Sequence, residues 1–459
     1  MWPVIRRPAI TRLAPHRRYA PEPPVVEPRH GLYRGEPETC RRDYRHFLPV
    51  LAHLGLLFGV YRVFRIEGRA FQSLVLIAIA ALPIHYLLPL PWKKPLFIAA
   101  SIIGMGWIFG LETSGFVMAL SAVLIGVCYL PASWTIRAGT IAALTAVFAA
   151  LRPGAFVGVI PANVWPVLAT MFMFRMILYL YEIKHTKKPE PLIDTIGYFF
   201  LLPNYCFLHF PVVDYRTYQR GYFAKDVHAT MRAGLQMMFR GTIHLLLYRV
   251  IYHELLITPE EVRGPLSLLG YLFCNYLLYL QVSGQFHIAC GMLHLFGHSL
   301  PETHRHYLLA ESFTDYWRRI NIYWKDFMVR VVFNPVVFRL KRWNRPASLA
   351  VATAVVFVTT WALHAYQSFW IRGHWGFSMT DGLFWGVLGA LVMVNVQLDA
   401  RRSSVKSSKA NANPARALTL RVLKTATTFA TITLLWSLWS SPSVGAWVGM
   451  LRRGIGGDG

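Results

Sequence analysis

The sequence predicts an all-α polytopic membrane protein with about 10–12 transmembrane helices, together with interfacial or re-entrant helices. Three observations predict this class: a mean hydropathy of +0.38 over 459 residues, a charged fraction of only 15%, and many apolar runs close to the length of a membrane span. About 20 apolar residues cross the hydrocarbon as a helix. Helices are expected because lipid offers no partners for backbone amides, so each span has to satisfy its own.

The first segment, residues 1–45, is predicted to be a basic cytoplasmic N-terminal arm. It contains ten arginines, no lysine and the proline-rich stretch Pro21–Pro24, and it lacks the apolar core of a signal peptide. Such an arm can lie against anionic lipid headgroups, and a plain disordered tail explains the composition almost as well.

Residues 46–264 are predicted to form the N-terminal transmembrane helices. Two of their apolar runs are interrupted, at Pro161–Pro166 and at Leu202–Tyr205. Breaks at membrane depth are tolerated where protein or a water-filled cavity covers the freed backbone groups, so they indicate kinked or re-entrant elements around an internal site. The runs up to residue 298 lie at 47–64, 71–90, 94–111, 114–131, 138–151, 156–182, 196–213, 235–257 and 265–298.

Residues 265–400 are predicted to form the catalytic core. After residue 298 the pattern changes, because residues 299–346 are rich in aromatics, Arg and His and contain no uninterrupted apolar twenty-mer. Such a segment fits an interfacial helix or a chain that dips into the protein. Predicted spans follow at 347–371 and 382–399. A basic cytoplasmic loop, 401–424, then precedes a terminal segment, 425–459, with a span at 425–441.

The charge distribution predicts the orientation of the chain in the membrane. The net charge is +25, but the positive residues lie between apolar runs rather than on one soluble face, so nucleic-acid binding is not expected. Two stretches without acids, 339–345 and 401–424, are predicted to be cytoplasmic, which places the turn at 373–378 in the periplasm. We expect the lipid bilayer as partner and a bacterial inner membrane as location.

Polar residues in lipid are costly, and they are densest from Gln285 to Asp326. Asp315 and Asp326 are predicted to pair with neighbouring Arg or Lys. Farther on, His364 stands within an apolar helix, where desolvation favours the neutral imidazole that a general base requires. The amide of Asn321 can donate a hydrogen bond to an oxygen that gains negative charge. A structural hydrogen-bonding role is the competing interpretation of each residue.

Over residues 284–392 the sequence resembles that of the membrane-bound O-acyltransferase family, in its bacterial type. The carriers of the resemblance are Leu295–Gly297, Pro301, the interfacial block Ser312–Ile322, and His364 in a following apolar helix. The sequence departs from the family at His287, where bacterial relatives usually carry an acid. It also has Asn321 where the commonest bacterial form has His.

The resemblance implies an acyl transfer from a thioester, on acyl-CoA or an acyl carrier protein, to a hydroxyl of a polysaccharide, lipid or protein. It implies His364 and Asn321 as catalytic residues, no metal or organic cofactor, and a tunnel that the two substrates enter from opposite directions. A periplasmic partner enzyme, as in bacterial relatives, is compatible with the resemblance. The arginines suit donor phosphates, although an interface anchor is an alternative role for them and for Trp317. The substrate-binding residues expected are Trp317, Arg318, Arg319, Tyr323 and His287.

Two other functions are compatible with the sequence. His287, His294 and His298 are spaced by seven and four residues, which predicts one helical face on which imidazoles can bind metal. A histidine-rich membrane metalloenzyme of the hydroxylase or desaturase type is therefore an alternative. A non-catalytic transporter or scaffold is the other, although carboxylates, which proton-coupled carriers use, are scarce within the spans.

Overall fold

A computed structural model describes residues 42–152, 160–184, 186, 189–207, 212–404 and 414–456. No β-strand occurs among these residues. Most of the predicted arm, residues 1–41, lies outside the described residues, as do positions 405–413 of the predicted basic loop. The helices are α1 Tyr44–Val63, α2 Gly68–Leu87, α3 Leu90–Cys128, α4 Trp134–Leu151, α5 Val164–Phe172, α6 Arg175–Ile183, α7 Leu192–Phe199, α8 Tyr215–Gly221, α9 Val227–Val250, α10 Pro265–Leu277, α11 Leu280–Leu295, α12 Phe313–Ile320, α13 Ile322–Met328, α14 Asn334–Arg339, α15 Arg345–Arg372, α16 Met379–Ser404, α17 Pro414–Ser440 and α18 Val444–Ile455.

The predicted class, an all-α polytopic membrane protein, is confirmed. Within the described residues, eight helical segments are long and apolar enough to cross a membrane. The 39-residue helix α3 kinks at Gly110 (φ 80°), and each part has the length of a span. Helices α9 and α17 are also of spanning length, although both carry basic residues. With these added, the number of span-length segments lies within the predicted range.

The predicted break at Leu202–Tyr205 is a short 3₁₀ turn. Buried Arg175 donates hydrogen bonds to the backbone oxygens of Tyr198 (2.9 Å) and Phe199 (3.4 Å), and also contacts the side-chain oxygen of Asn204. A protein side chain therefore covers the carbonyl groups that the end of α7 leaves without helical partners, as the sequence interpretation required.

The predicted run at 156–182 is divided into α5 and α6, and residues 153–159 lie outside the described part. In the segment Val164–Ile183, 83% of the residues in the most apolar 18-residue stretch are buried, a far larger share than in the other span-length segments. This pair of short helices is therefore at the centre of the bundle rather than at a lipid-facing edge.

Before α15 begins at Arg345, the segment from residue 299 contains only the short helices α12, α13 and α14, together with single turns of 3₁₀ and π helix. None has the length of a span, in agreement with the expectation from composition. The predicted loop 401–424 is shorter than expected, because α16 extends to Ser404 and α17 begins at Pro414. The predicted segments 46–264 and 265–400 meet along α9 and α11, and the described residues belong to one compact unit.

Helices α9 and α11 pack closely because glycines face each other at two levels. A Cβ atom added to Gly291 would lie 2.5 Å from the carbonyl oxygen of Gly234, and one added to Gly284 would lie 2.9 Å from that of Gly241. Small residues of this kind allow helix backbones to approach in membranes. The antiparallel pairing fixes the position of α11 in the bundle.

Gly291→Val is therefore expected to lower the stability of the protein by about 1–3 kcal/mol, because the added methyl groups meet the backbone of α9. Thermal unfolding of the purified protein in detergent measures the effect. Gly270→Val is the matched control, since a Cβ atom at Gly270 of α10 meets nothing within 4 Å. Equal melting temperatures for the two variants would contradict this account of the packing.

Candidate active site

A cavity of about 430 Å³ lies among α11, α12, α13, α15, α16 and α17. Its size is within the range of sites for small organic ligands, and its wall is mainly aromatic and aliphatic with a few polar groups. The polar and charged lining residues include Asn321, His364, Gln367, Arg372 and Asp381. The cavity thus combines an apolar interior with a small number of converging polar side chains.

His364 lies on the cavity side of α15, where it is half-buried. Its ring stacks on Trp385 of α16 (centroids 4.8 Å apart, interplanar angle 25°). The rings of Trp324 and Trp439 are 5.7 Å and 6.1 Å away. Three indoles from three helices therefore fix the surroundings of the imidazole, and its environment is aromatic rather than open lipid.

Asn321 lines the same cavity at the junction of α12 and α13. Its side-chain oxygen accepts a hydrogen bond from the backbone N–H of Trp324 (3.1 Å), so Asn321 is the N-cap of α13. The junction is held in place by the backbone N–H of Ile322, which donates to the carbonyl oxygen of Thr303 (2.9 Å). Because the amide oxygen of Asn321 accepts this capping hydrogen bond, its Nδ2 group is the part of the side chain that can act as a donor.

The three consecutive block residues of α12 have different surroundings. Trp317 lines the cavity, whereas Arg318 is exposed and does not. Arg319 donates to the carboxylate of Asp315 at 2.7 Å, one helical turn away. The expected pairing of Asp315 is confirmed, and so is that of Asp326, which contacts Lys325.

Tyr323 does not line the main cavity. It is buried, and its hydroxyl donates to the carbonyl oxygen of Pro301 (2.7 Å) beside a separate small cavity of about 50 Å³. Asp214 and Arg330, which form an ion pair of 3.2 Å, also line that small cavity. The observed contacts of Tyr323 tie α13 to the loop before α12.

His287 lies outside the main cavity, in a group of imidazoles in which His287 and His304 are buried and His244 is half-buried. Its ring centroid is 5.3 Å from that of His244 and 5.7 Å from that of His304. His304 in turn hydrogen-bonds the hydroxyl of Tyr279 (2.9 Å), a residue of the cavity wall. Burial lowers the pKa of His304 well below its ordinary value, since removal from water disfavours the imidazolium.

The predicted common face of His287, His294 and His298 is wrong. Helix α11 ends at Leu295, and Gly297 adopts a left-handed conformation (φ 89°), so the chain turns away before His298. His298 stacks on Tyr218 at 4.4 Å, while His294 bonds the carbonyl oxygen of Cys290 (2.8 Å). Over the described ranges, no three His, Cys, Asp or Glu side chains form a group that could hold a metal ion.

The sequence interpretation missed Asp381, Trp385 and Trp439. Asp381, in the first turn of α16, is only 7% exposed and accepts a hydrogen bond from the indole N–H of Trp439 (2.6 Å). The signal in the sequence was an acid at the border of an apolar span, which usually has a reason to be there. Its partner is on α17, 58 positions later, and no local pattern connects the two.

The fold and the cavity define the chain as an all-α integral membrane protein with an internal, aromatic-lined site. Comparison with protein-family models and with curated proteins finds no match to this chain.

Proposed function

We propose that this chain is a membrane-embedded O-acyltransferase, of the membrane-bound O-acyltransferase family, that moves an acyl group from a thioester to a hydroxyl. The observation that carries the proposal is that His364 and Asn321, from separate helices, line one cavity of about 430 Å³. A base and a hydrogen-bond donor that face one space are the minimum that this reaction requires.

In the proposed reaction one proton moves from the acceptor hydroxyl to His364 and then to the leaving thiolate. A ring nitrogen of His364 takes the proton of the acceptor hydroxyl as its oxygen attacks the thioester carbon. The Nδ2 group of Asn321 donates to the carbonyl oxygen as negative charge develops, an interaction worth about 3–4 kcal/mol when well aimed. The carbon–sulfur bond then breaks, and the imidazolium returns the proton to the thiolate. The products are an ester and a free thiol.

The surroundings of the site suit an acyl donor. The aromatic and aliphatic wall of the cavity can bury an acyl chain, which is favoured by about 0.8 kcal/mol for each CH₂ group removed from water. Arg318, exposed beside the cavity residue Trp317, offers a cation for donor phosphates. We propose acyl-CoA or an acyl carrier protein as donor, the bacterial inner membrane as location, and a periplasmic partner as an optional final carrier.

Transfer of label tests the proposal. Membranes from cells that overproduce the chain are incubated with a thioester labelled in its acyl group, and alkali-labile label in lipid, glycan and protein fractions is counted. We expect ester label above that in membranes from cells without the protein. Equal labelling in the two preparations, with protein present and folded, would contradict the proposal.

We expect acyl transfer to survive removal of metal ions, because base catalysis by imidazole requires none. The buried His287 and His294 already use their Nδ1 atoms on backbone carbonyls of α11. Metal analysis and activity are measured before and after dialysis against a chelator. Stoichiometric iron or zinc, together with activity lost on dialysis and restored by that metal, would favour the histidine-rich metalloenzyme instead.

A further inference from the structure

Asp381 places a carboxylate in the wall of the cavity without a cationic partner. Among the described residues that line the cavity, Asp381 is the only acidic one. Its Oδ1 atom accepts the indole N–H of Trp439, and its backbone N–H donates to the hydroxyl of Ser378 (3.0 Å). No Lys, Arg or His of the described ranges forms an ion pair with it. A carboxylate withdrawn from water is costly unless a cation accompanies it.

Tryptophan rings form a corner beside this carboxylate. Trp436 and Trp439 are 4.9 Å apart at an interplanar angle of 89°, and Trp385 and Trp439 are 5.8 Å apart at 71°. All three rings line the cavity, and no described Lys or Arg lies over any of them. The face of an indole carries partial negative charge and attracts cations, quaternary ammonium groups above all.

We propose that the corner formed by Asp381, Trp385, Trp436 and Trp439 binds an ammonium group, so that the acceptor is a cationic alcohol. The identification of this ligand as the acceptor rests on the proposed acyl transfer, whereas the cation site does not. Its position suits an acceptor, because the ring of Trp385 also stacks on His364. A cation held there brings its hydroxyl next to the proposed base. Arg372, the cationic lining residue, has an exposed side chain and forms no described ion pair with Asp381.

Choline and its neutral carbon isostere, 3,3-dimethyl-1-butanol, test the site directly. The purified protein, in an uncharged maltoside detergent, is titrated with each alcohol while tryptophan fluorescence is followed. We expect choline to bind at least about tenfold more tightly, since a cation–π contact in a desolvated site exceeds the 1.4 kcal/mol that a factor of ten represents. Equal affinities, or no saturable binding of choline, would overturn the inference.

Asp381→Asn is expected to remove most of the preference for choline while leaving the affinity for the neutral alcohol unchanged. Asp399→Asn is the matched control, because Asp399 is on the same helix and exposed, away from the cavity wall. Asp381→Glu keeps the charge and is expected to retain the preference, which covers the case in which Asp381→Asn does not fold. A preference that persists in folded Asp381→Asn would overturn the role of the carboxylate.

His364→Ala separates this inference from the proposed function, since that variant is expected to lose transfer and still prefer choline. Selective choline binding by wild-type protein that shows no acyl transfer would support the cation site and count against the acyltransferase. Acyl transfer by a wild-type protein that binds the two alcohols equally would overturn the cation site alone.

Discussion

His364→Ala is expected to lower the rate of acyl transfer by a factor of about 10²–10⁴, which is the usual contribution of a positioned general base. The substitution removes the group that takes the acceptor proton and returns it to the thiolate. Release of free thiol and formation of labelled ester are measured together in proteoliposomes supplied with acyl-CoA and a membrane extract as the source of acceptor.

The control for this prediction is His253→Ala, because His253 is exposed and outside the cavity wall. It should retain the wild-type rate, and both variants should unfold near the wild-type temperature. If folded His364→Ala transferred acyl groups as fast as wild-type protein, His364 would be structural and the non-catalytic alternative would gain support.

Asn321→Asp is expected to lower the rate of transfer by a factor of about 10²–10³ with little loss of stability. Aspartate is as good an N-cap as asparagine, so it keeps the hydrogen bond from the backbone of Trp324. It lacks the Nδ2 donor that the proposed mechanism aims at the thioester oxygen. The substitution therefore separates the two roles of one amide.

Asn321→Ala completes the comparison, since alanine loses both the cap and the donor. We expect a similar loss of rate and an additional loss of about 1 kcal/mol in the free energy of unfolding. Rates are followed in proteoliposomes, and stability by thermal unfolding. A wild-type rate in Asn321→Asp, with a slow and unstable Asn321→Ala, would show that the side chain acts as a helix cap alone.

The sequence predicted the features of the fold that depend on local composition. Apolar runs predicted the span-length helices, and the proline at Leu202–Tyr205 predicted a covered break. The common face of His287, His294 and His298 failed because a fixed helical spacing assumes that the helix continues. Gly297 adopts a left-handed conformation that ends the helix, although the spacing of the neighbouring histidines fits a continuing helix.

The structure brings some of the predicted site residues to one cavity and places others elsewhere, and the physical reason differs from residue to residue. His364, Asn321 and Trp317 line one cavity. Arg319 is held by an acid one turn away, a local pairing that competes with ligand binding. Asp381 and Trp439 could not be paired from sequence, because their contact depends on the packing of α16 against α17.

Comparative mass spectrometry of whole cells tests whether this chain forms esters through His364. Ester-linked acyl groups in lipids, glycans and proteins are quantified in cells that carry the wild-type chain or His364→Ala at equal protein levels. We expect at least one ester to be present with the wild type and missing with the variant, and that ester would identify the acceptor. Identical ester profiles in the two strains would contradict it.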